Sequence, residues 1–252
     1  MTINVHTLLR AALVALVLAA WWRAFRTGGF GLAFIGTFLA IVVGVAHRRW
    51  QIAEGRRFIL AHTFPTFLRA KVLAAHPELS QAQLGDIERG LRQFFVASLQ
   101  AGGRFVAMPS KAVDALWHEF ILHTRGYQAF CARAFGRMLH HTPAEALGPK
   151  ATQGSSQFAG LRRAWYWSCK EEGIDPRKPD RLPLLFALDT TLAIAGGYHY
   201  VPDCSLLGAD RGSTHCGTSF GCGSSCGSSG GDGDGSSGGD GGCGSGCGGG
   251  GD

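Results

Sequence analysis

The stretch from Phe30 to Ala46 reads FGLAFIGTFLAIVVGVA, 17 residues without a charge. A helix needs about 20 apolar residues to cross the hydrocarbon of a bilayer, with a range of roughly 17–25. This run therefore constrains the chain more than any other feature. Residues 5–22 make a second run of about 18, interrupted by His6 and Arg10. It qualifies as a span if Arg10 extends its charge toward the headgroups. Trp21, Trp22 and Trp50 stand where interfacial aromatics belong. With the short link Arg23–Gly29, the two runs predict a hairpin of transmembrane helices at about 5–22 and 30–46. A cleaved signal peptide is the rival for the first run. Its basic leader is thin, and two tryptophans stand where a small-residue cleavage site is needed.

The net charge of +6 is an average over unlike regions. From Gly208 onward there are five Asp and one Arg, which leaves 23 basic and 13 acidic residues for the rest. Many of those bases flank the apolar runs: Arg23, Arg26, Arg48, Arg49, Arg56 and Arg57. That is the pattern of a membrane interface, and with no RNA-binding or zinc-finger signature it argues against nucleic acid as a partner. Both ends of a hairpin lie on one side. Four arginines follow the second helix and two lie in the link, so the positive-inside bias puts the main domain in the cytoplasm, behind an inner-membrane anchor.

Residues 54–207 read as an all-helical domain. Phe58 to Ala75 is one candidate helix, with Pro65 as a break or kink. Ser80 and Gln83 form a capping box ahead of Leu84, Ile87, Leu91, Phe94, Phe95 and Leu99 at helical spacing. Gly102-Gly103 ends that helix, and Pro109-Ser110 opens the next. Thr142 and Glu145 repeat the capping-box pattern with Pro143 at the first helical position. Phe158 to Glu172 is a further helix closed by Gly173. No period-two alternation is present, and a small strand is expected at most near Phe105 or Tyr198. The fold class is all-α.

Residues 208–252 contain 20 of the 38 glycines. Gly, Ser, Asp and Cys bury too little apolar area to offset the entropy of ordering, so this tail is expected to be disordered. Of eight cysteines, Cys131, Cys169 and Cys204 lie in the globular part, too widely spaced for a staple framework. In a cytoplasmic domain they stay reduced. Cys222/Cys226 and Cys243/Cys247 share a C-x3-C spacing suited to soft metals, to disulfides or to modification.

The chemistry is densest between Asp114 and Pro143. Four of the ten histidines and a cysteine fall within 24 positions there. Asp114 and His118 are i and i+4 on a helix, the spacing at which a carboxylate holds an imidazole in one tautomer. Thr124 and Gly126 mark a corner, with Thr124 as the cap of a second helix. His118 and Cys131 lie on either side of it, and a His with a thiolate suits zinc. Straight helix puts Cys131 and His140 roughly 13–14 Å apart, too far to share an ion. Either Gly136 breaks the helix, or His118 joins His140 or His141 across packed helices, or no single site forms. The metal-ligand candidates are His118, Cys131, His140 and His141, with Asp114 behind them. The competing readings are His118 simply hydrogen-bonded to Asp114, Cys131 as a core residue, and His140 and His141 at a helix end facing its dipole. Asp189, His199, Asp203 and Cys204 form a weaker cluster that reads as a solvated loop.

The stretch V-D-x-x-W-H-x-F-I-L-x-T-x-x-Y-x-x-F-C-x-x-x-x-G-x-x-x-H-H-x-P, Val113 to Pro143, resembles the core motif of the glycine-rich domain-containing protein family. Members pair a helical domain with a Gly-rich region. Members often read W-H-x-H, where this chain has Phe120. The resemblance implies architecture and no reaction. The expectation is a membrane-anchored binding or scaffold protein with a metal site, its partners the bilayer and a further protein. The rivals are a metal- or thiol-dependent enzyme at His118 and Cys131, and a protein whose Cys-rich tail is modified or chelates soft metal.

Overall fold

The structure is a computed structural model, and it describes residues 5–142, 155–206 and 215–221. The chain forms two compact units, residues 1–61 and 62–252.

The first unit is a pair of helices, α1 (Val5–Thr27) and α2 (Gly31–Ala61). Gly28 turns the chain between them with φ +71°, a conformation that suits glycine alone. The Trp21 indole N–H donates to Thr37 Oγ1 at 3.0 Å, and that hydroxyl donates in turn to the Ala33 carbonyl at 2.8 Å. Trp21 also meets Phe34 edge to face at 5.2 Å. Most other apolar side chains point outward: Leu32 is 79% exposed and Phe38 68%. An apolar sleeve of that size is unstable in water. α2 is long and apolar enough to cross a membrane. Its 31 residues also run past the expected end at Ala46. The helix predicted from Phe58 to Ala75 is thus two: residues 58–61 complete α2, and α3 (Thr66–Ala75) starts after Pro65.

The second unit is built on α4 (Gln81–Gln100), whose face Leu84, Ile87, Leu91, Phe94, Phe95 is buried. The predicted capping box is present, with Gln83 N donating to Ser80 Oγ and Ser80 N to Gln83 Oε1. Against α4 pack α5 (Lys111–Leu122), α7 (Ser156–Glu171) and α8 (Leu184–Thr191). Ser110 and Ser155 cap α5 and α7 through Val113 N and Phe158 N. α6 (Thr124–Phe135) follows α5 after a one-residue corner. His123 holds the corner, one position before the Thr124 expected there. The box predicted at Thr142–Glu145 lies outside the described residues from 143 on.

Asp189 is fully buried rather than in a solvated loop. Its carboxylate accepts from Ser110 Oγ (2.7 Å), Lys111 N (2.8 Å), Ala112 N (3.1 Å) and Tyr198 N (2.9 Å). It caps α5 from α8, satisfying N–H groups that a helix start leaves open. Residues 215–221, tail by composition, are ordered too. β1 (Tyr200–Val201) pairs in parallel with β2 (His215–Cys216), and α9 (Gly217–Gly221) sets Phe220 into a cluster with Trp165 and Phe186. Cys204 and Cys216 form a disulfide, which corrects the expectation of reduced thiols.

Candidate metal centre

α5 places Asp114 and His118 one turn apart. His118 Nδ1 lies 2.8 Å from the Asp114 carbonyl oxygen and 3.4 Å from Oδ2. An Nδ1–H donated to that carbonyl leaves Nε2 with its lone pair, the tautomer a metal ligand needs. The third group arrives from beyond α6. Gly136 ends α6 in the left-handed region, φ +67°, so the helix breaks and the chain returns along α5. His141 Nε2 then sits 2.9 Å from Asp114 Oδ1. Its ring stands 4.3 Å from that of His118 and edge-on to Trp117 at 4.6 Å. One ligand atom from each of Asp114, His118 and His141 lies within 4.8 Å of the other two.

The returning strap, residues 136–142, is held by a buried relay. The Trp117 indole N–H donates to the Tyr127 hydroxyl at 3.1 Å, which donates to the Leu139 carbonyl at 2.6 Å. Burial pushes the Tyr127 phenol far above its ordinary range, so it stays protonated and able to donate. Cys131 lies beneath the strap, 1% exposed, against Tyr127 and Leu139. Burial raises its thiol pKa, which disfavours the thiolate a metal or a nucleophilic reaction requires.

Of the residues singled out from sequence, the structure brings Asp114, His118 and His141 together. Cys131 is not with them but under the strap, and His140 points away, exposed. Cys222, Cys226, Cys243 and Cys247 lie outside the described residues. Sequence reasoning missed the Trp117–Tyr127–Leu139 relay. Its only local signal was that both aromatics carry a polar handle, which needs a partner when buried.

Two imidazoles and one carboxylate form a borderline-soft donor set that suits zinc or another first-row divalent ion. An ion taking both His141 Nε2 and Asp114 Oδ1 would replace the 2.9 Å contact between them. Side-chain exposures of 50% for His118, 31% for Asp114 and 13% for His141 leave one side of the cluster open to solvent.

These features define a mostly helical domain, carried behind a long apolar helix, with an Asp–His–His cluster on its surface. The chain belongs to the UCP032817-like family, whose model matches residues 54–220. That match bears no glycine-rich name, and it stops short of most of the Gly-rich sequence. No curated protein and no solved structure matches the chain.

Proposed function

We propose that this protein is a membrane-anchored metal-binding module. The α1–α2 hairpin holds it in the bilayer, and Asp114, His118 and His141 take one divalent transition ion, zinc first. The observation that carries the reading is the convergence of three ligand atoms within 4.8 Å from residues 27 apart in sequence. The reading is scaffold-like in that the domain presents the ion to a further protein. The resemblance of Val113–Pro143 to the glycine-rich domain-containing family fits it, since the motif residues build this cluster and its support.

The test is elemental analysis of the full chain purified in detergent. The reading expects about one equivalent of metal, lost in His118→Ala and in His141→Ala and kept when Cys222, Cys226, Cys243 and Cys247 are all serine. Metal lost only in the tail variant moves the chemistry to those thiols. Retention by the pelleted membranes after an alkaline carbonate wash tests the anchor separately. A second reading, a metal-dependent enzyme, is favoured by one observation: three ligands with a solvent-facing side leave a coordination position for water or substrate. Metal-dependent turnover of an activated ester or phosphoester, lost in His141→Ala, would select it. A thiol enzyme at Cys131 is disfavoured by that residue's burial.

A further inference from the structure

The Cys204–Cys216 bond joins the segment after β1 to β2. Cys204 opens a short 3-10 turn (Cys204–Leu206), and Cys216 closes β2, with Cα atoms 5.0 Å apart. The segment it holds is built of short elements. Only two residue pairs join β1 to β2, and α9 is five residues long. Yet this segment carries core. Phe220 is 3% exposed, and Gly217 lies so close to Trp165 that a Cβ there would sit 2.3 Å from the indole. Between the two cysteines and the core the fit is close, so the bond is part of how the domain end is packed.

We infer that Cys204 and Cys216 are the substrate of a thiol-oxidising partner, and that the soluble unit works in an oxidising compartment outside the cytoplasm. Disulfides persist in such compartments and are rare where glutathione and thioredoxin keep thiols reduced. The step is thiol–disulfide exchange with a dithiol–disulfide oxidoreductase. Cys204, the more exposed of the pair, attacks the partner's disulfide and forms a mixed disulfide. Cys216 then displaces the partner. Two S–H bonds and the partner's S–S bond break, and one S–S bond forms; the two electrons and the two protons pass to the partner's sulfurs, which leave as a dithiol. In the disulfide the Thr218 hydroxyl lies 2.9 Å from Cys204 Sγ.

The arginine count pointed the other way, toward a cytoplasmic domain. That bias is a difference of two arginines, four after α2 against two in the link. One of the four, Arg57, is paired with Glu54 at 2.9 Å. Folded domains of this length also cross largely regardless of charge. The redox condition is stricter than the charge bias. The other ordered cysteines do not take part: Cys131 and Cys169 are buried at 1% and 0% and stay free thiols.

The experiment uses the full chain in bacterial cells quenched with acid. Free thiols are alkylated under denaturing conditions, then reductant and a second, heavier alkylating agent are added, and peptides are read by mass spectrometry. A fusion of alkaline phosphatase after Asp252 reports the compartment, since that enzyme is active only where disulfides form. The expected result is heavy label on Cys204 and Cys216, light label on Cys131 and Cys169, and an active phosphatase. In Cys204→Ser, Cys216 should change to the light label while the phosphatase stays active. Light label on both Cys204 and Cys216 in the unaltered chain, or an inactive phosphatase on a chain that is expressed and in the membrane, overturns the inference. Neither readout depends on bound metal.

Discussion

Tyr127→Phe removes one oxygen and tests how the site is assembled. The hydroxyl accepts from Trp117 Nε1 and donates to the Leu139 carbonyl, joining α5, α6 and the strap that delivers His141. Trp117 is 4% exposed, so its indole N–H finds no water and stays unpaired, which costs about 1–3 kcal/mol. The Leu139 carbonyl is half-buried and regains part of its loss from water, so its share is under about 1 kcal/mol. The sum is about 1–4 kcal/mol, which lowers Tm by roughly 2–16 °C in a unit of this size. The effect on the site is separate. His141 is two residues beyond Leu139, and freeing the strap should weaken zinc binding about 10–100-fold although Tyr127 is no ligand. The assays are thermal unfolding by tryptophan fluorescence and zinc competition against a chromophoric chelator, both on the full chain in detergent and well below Tm for the latter. A Tm within about 1 °C of the unaltered protein would refute the relay as a source of stability. A lowered Tm with zinc affinity unchanged would refute its role in positioning His141.

Asp189→Ala strips the acceptor from three donors at the start of α5 and from Tyr198 N, and about 3–5 kcal/mol of stability should go with it. Denaturant titration checks this, and a loss below about 1 kcal/mol would show that water replaces the carboxylate. His62 sits among Phe64, Phe120 and Phe130, and its imidazole pKa is lowered, first by burial and then by the Arg92 charge. The unfolded chain then binds the proton more readily, so the stability His62 contributes is present above about pH 6.5 and is lost as pH falls toward the lowered value. His62→Phe should flatten stability between pH 5 and about 7, and an unchanged slope would assign that slope to other groups. Gly160→Ala in α7 sets a gain in helix propensity of about 1 kcal/mol against a Cβ 2.9 Å from the Ala107 backbone N and 2.7 Å from the Phe105 ring. The backbone cannot give way, so the net effect should be a loss of about 1–3 kcal/mol by denaturant titration, and a gain would mean that the 105–107 segment yields.

Helices whose ends are set by local chemistry were legible in the sequence. Ser80 with Gln83, Ser110 and Gly173 all sit where capping rules put them. α8 was not legible. Its eight residues, LLFALDTT, are too short and too evenly apolar to show a period, and Pro183 gives the only local signal. Asp189 misled for the same reason. It stands near glycines and looks like loop, but its partners at Ser110, Lys111 and Ala112 lie 77–79 residues away in sequence. The site was legible in part. Spacing on one helix gave Asp114 and His118, but nothing in a pair of adjacent histidines says which faces α5. That is decided by where the chain turns at Gly136 and by the Tyr127 hydrogen bond two residues before His141. Cys131 has a ligand's chemistry and a core residue's surroundings, and the surroundings prevail.

The change of composition at Gly208 falls before residues 215–221, which belong to the second unit, and that has consequences. Glycine and serine dominate from Gly208, yet Cys216, Gly217 and Phe220 are buried at the end of the second unit, and the family match runs to 220. Phe220 lies against Trp165, Phe158, Phe186 and Tyr200, with ring centroids 5.4–6.3 Å apart. Its backbone carbonyl also accepts from Arg162 at 3.2 Å. A chain ending at Leu207 loses the Phe220 side chain, about 3–5 kcal/mol if the gap stays open. It also loses the disulfide, which closes a loop of 12 residues' separation and contributes about 3 kcal/mol. The sum is comparable to the whole stability of an ordinary domain, about 5–15 kcal/mol. A chain ending at Gly221 keeps both. Limited proteolysis of the two truncations should therefore show the first cut within the helices α4, α5, α7 and α8 and the second resistant in those helices. Equal resistance would mean that Phe220 and the disulfide decorate the core of this domain and do not complete it.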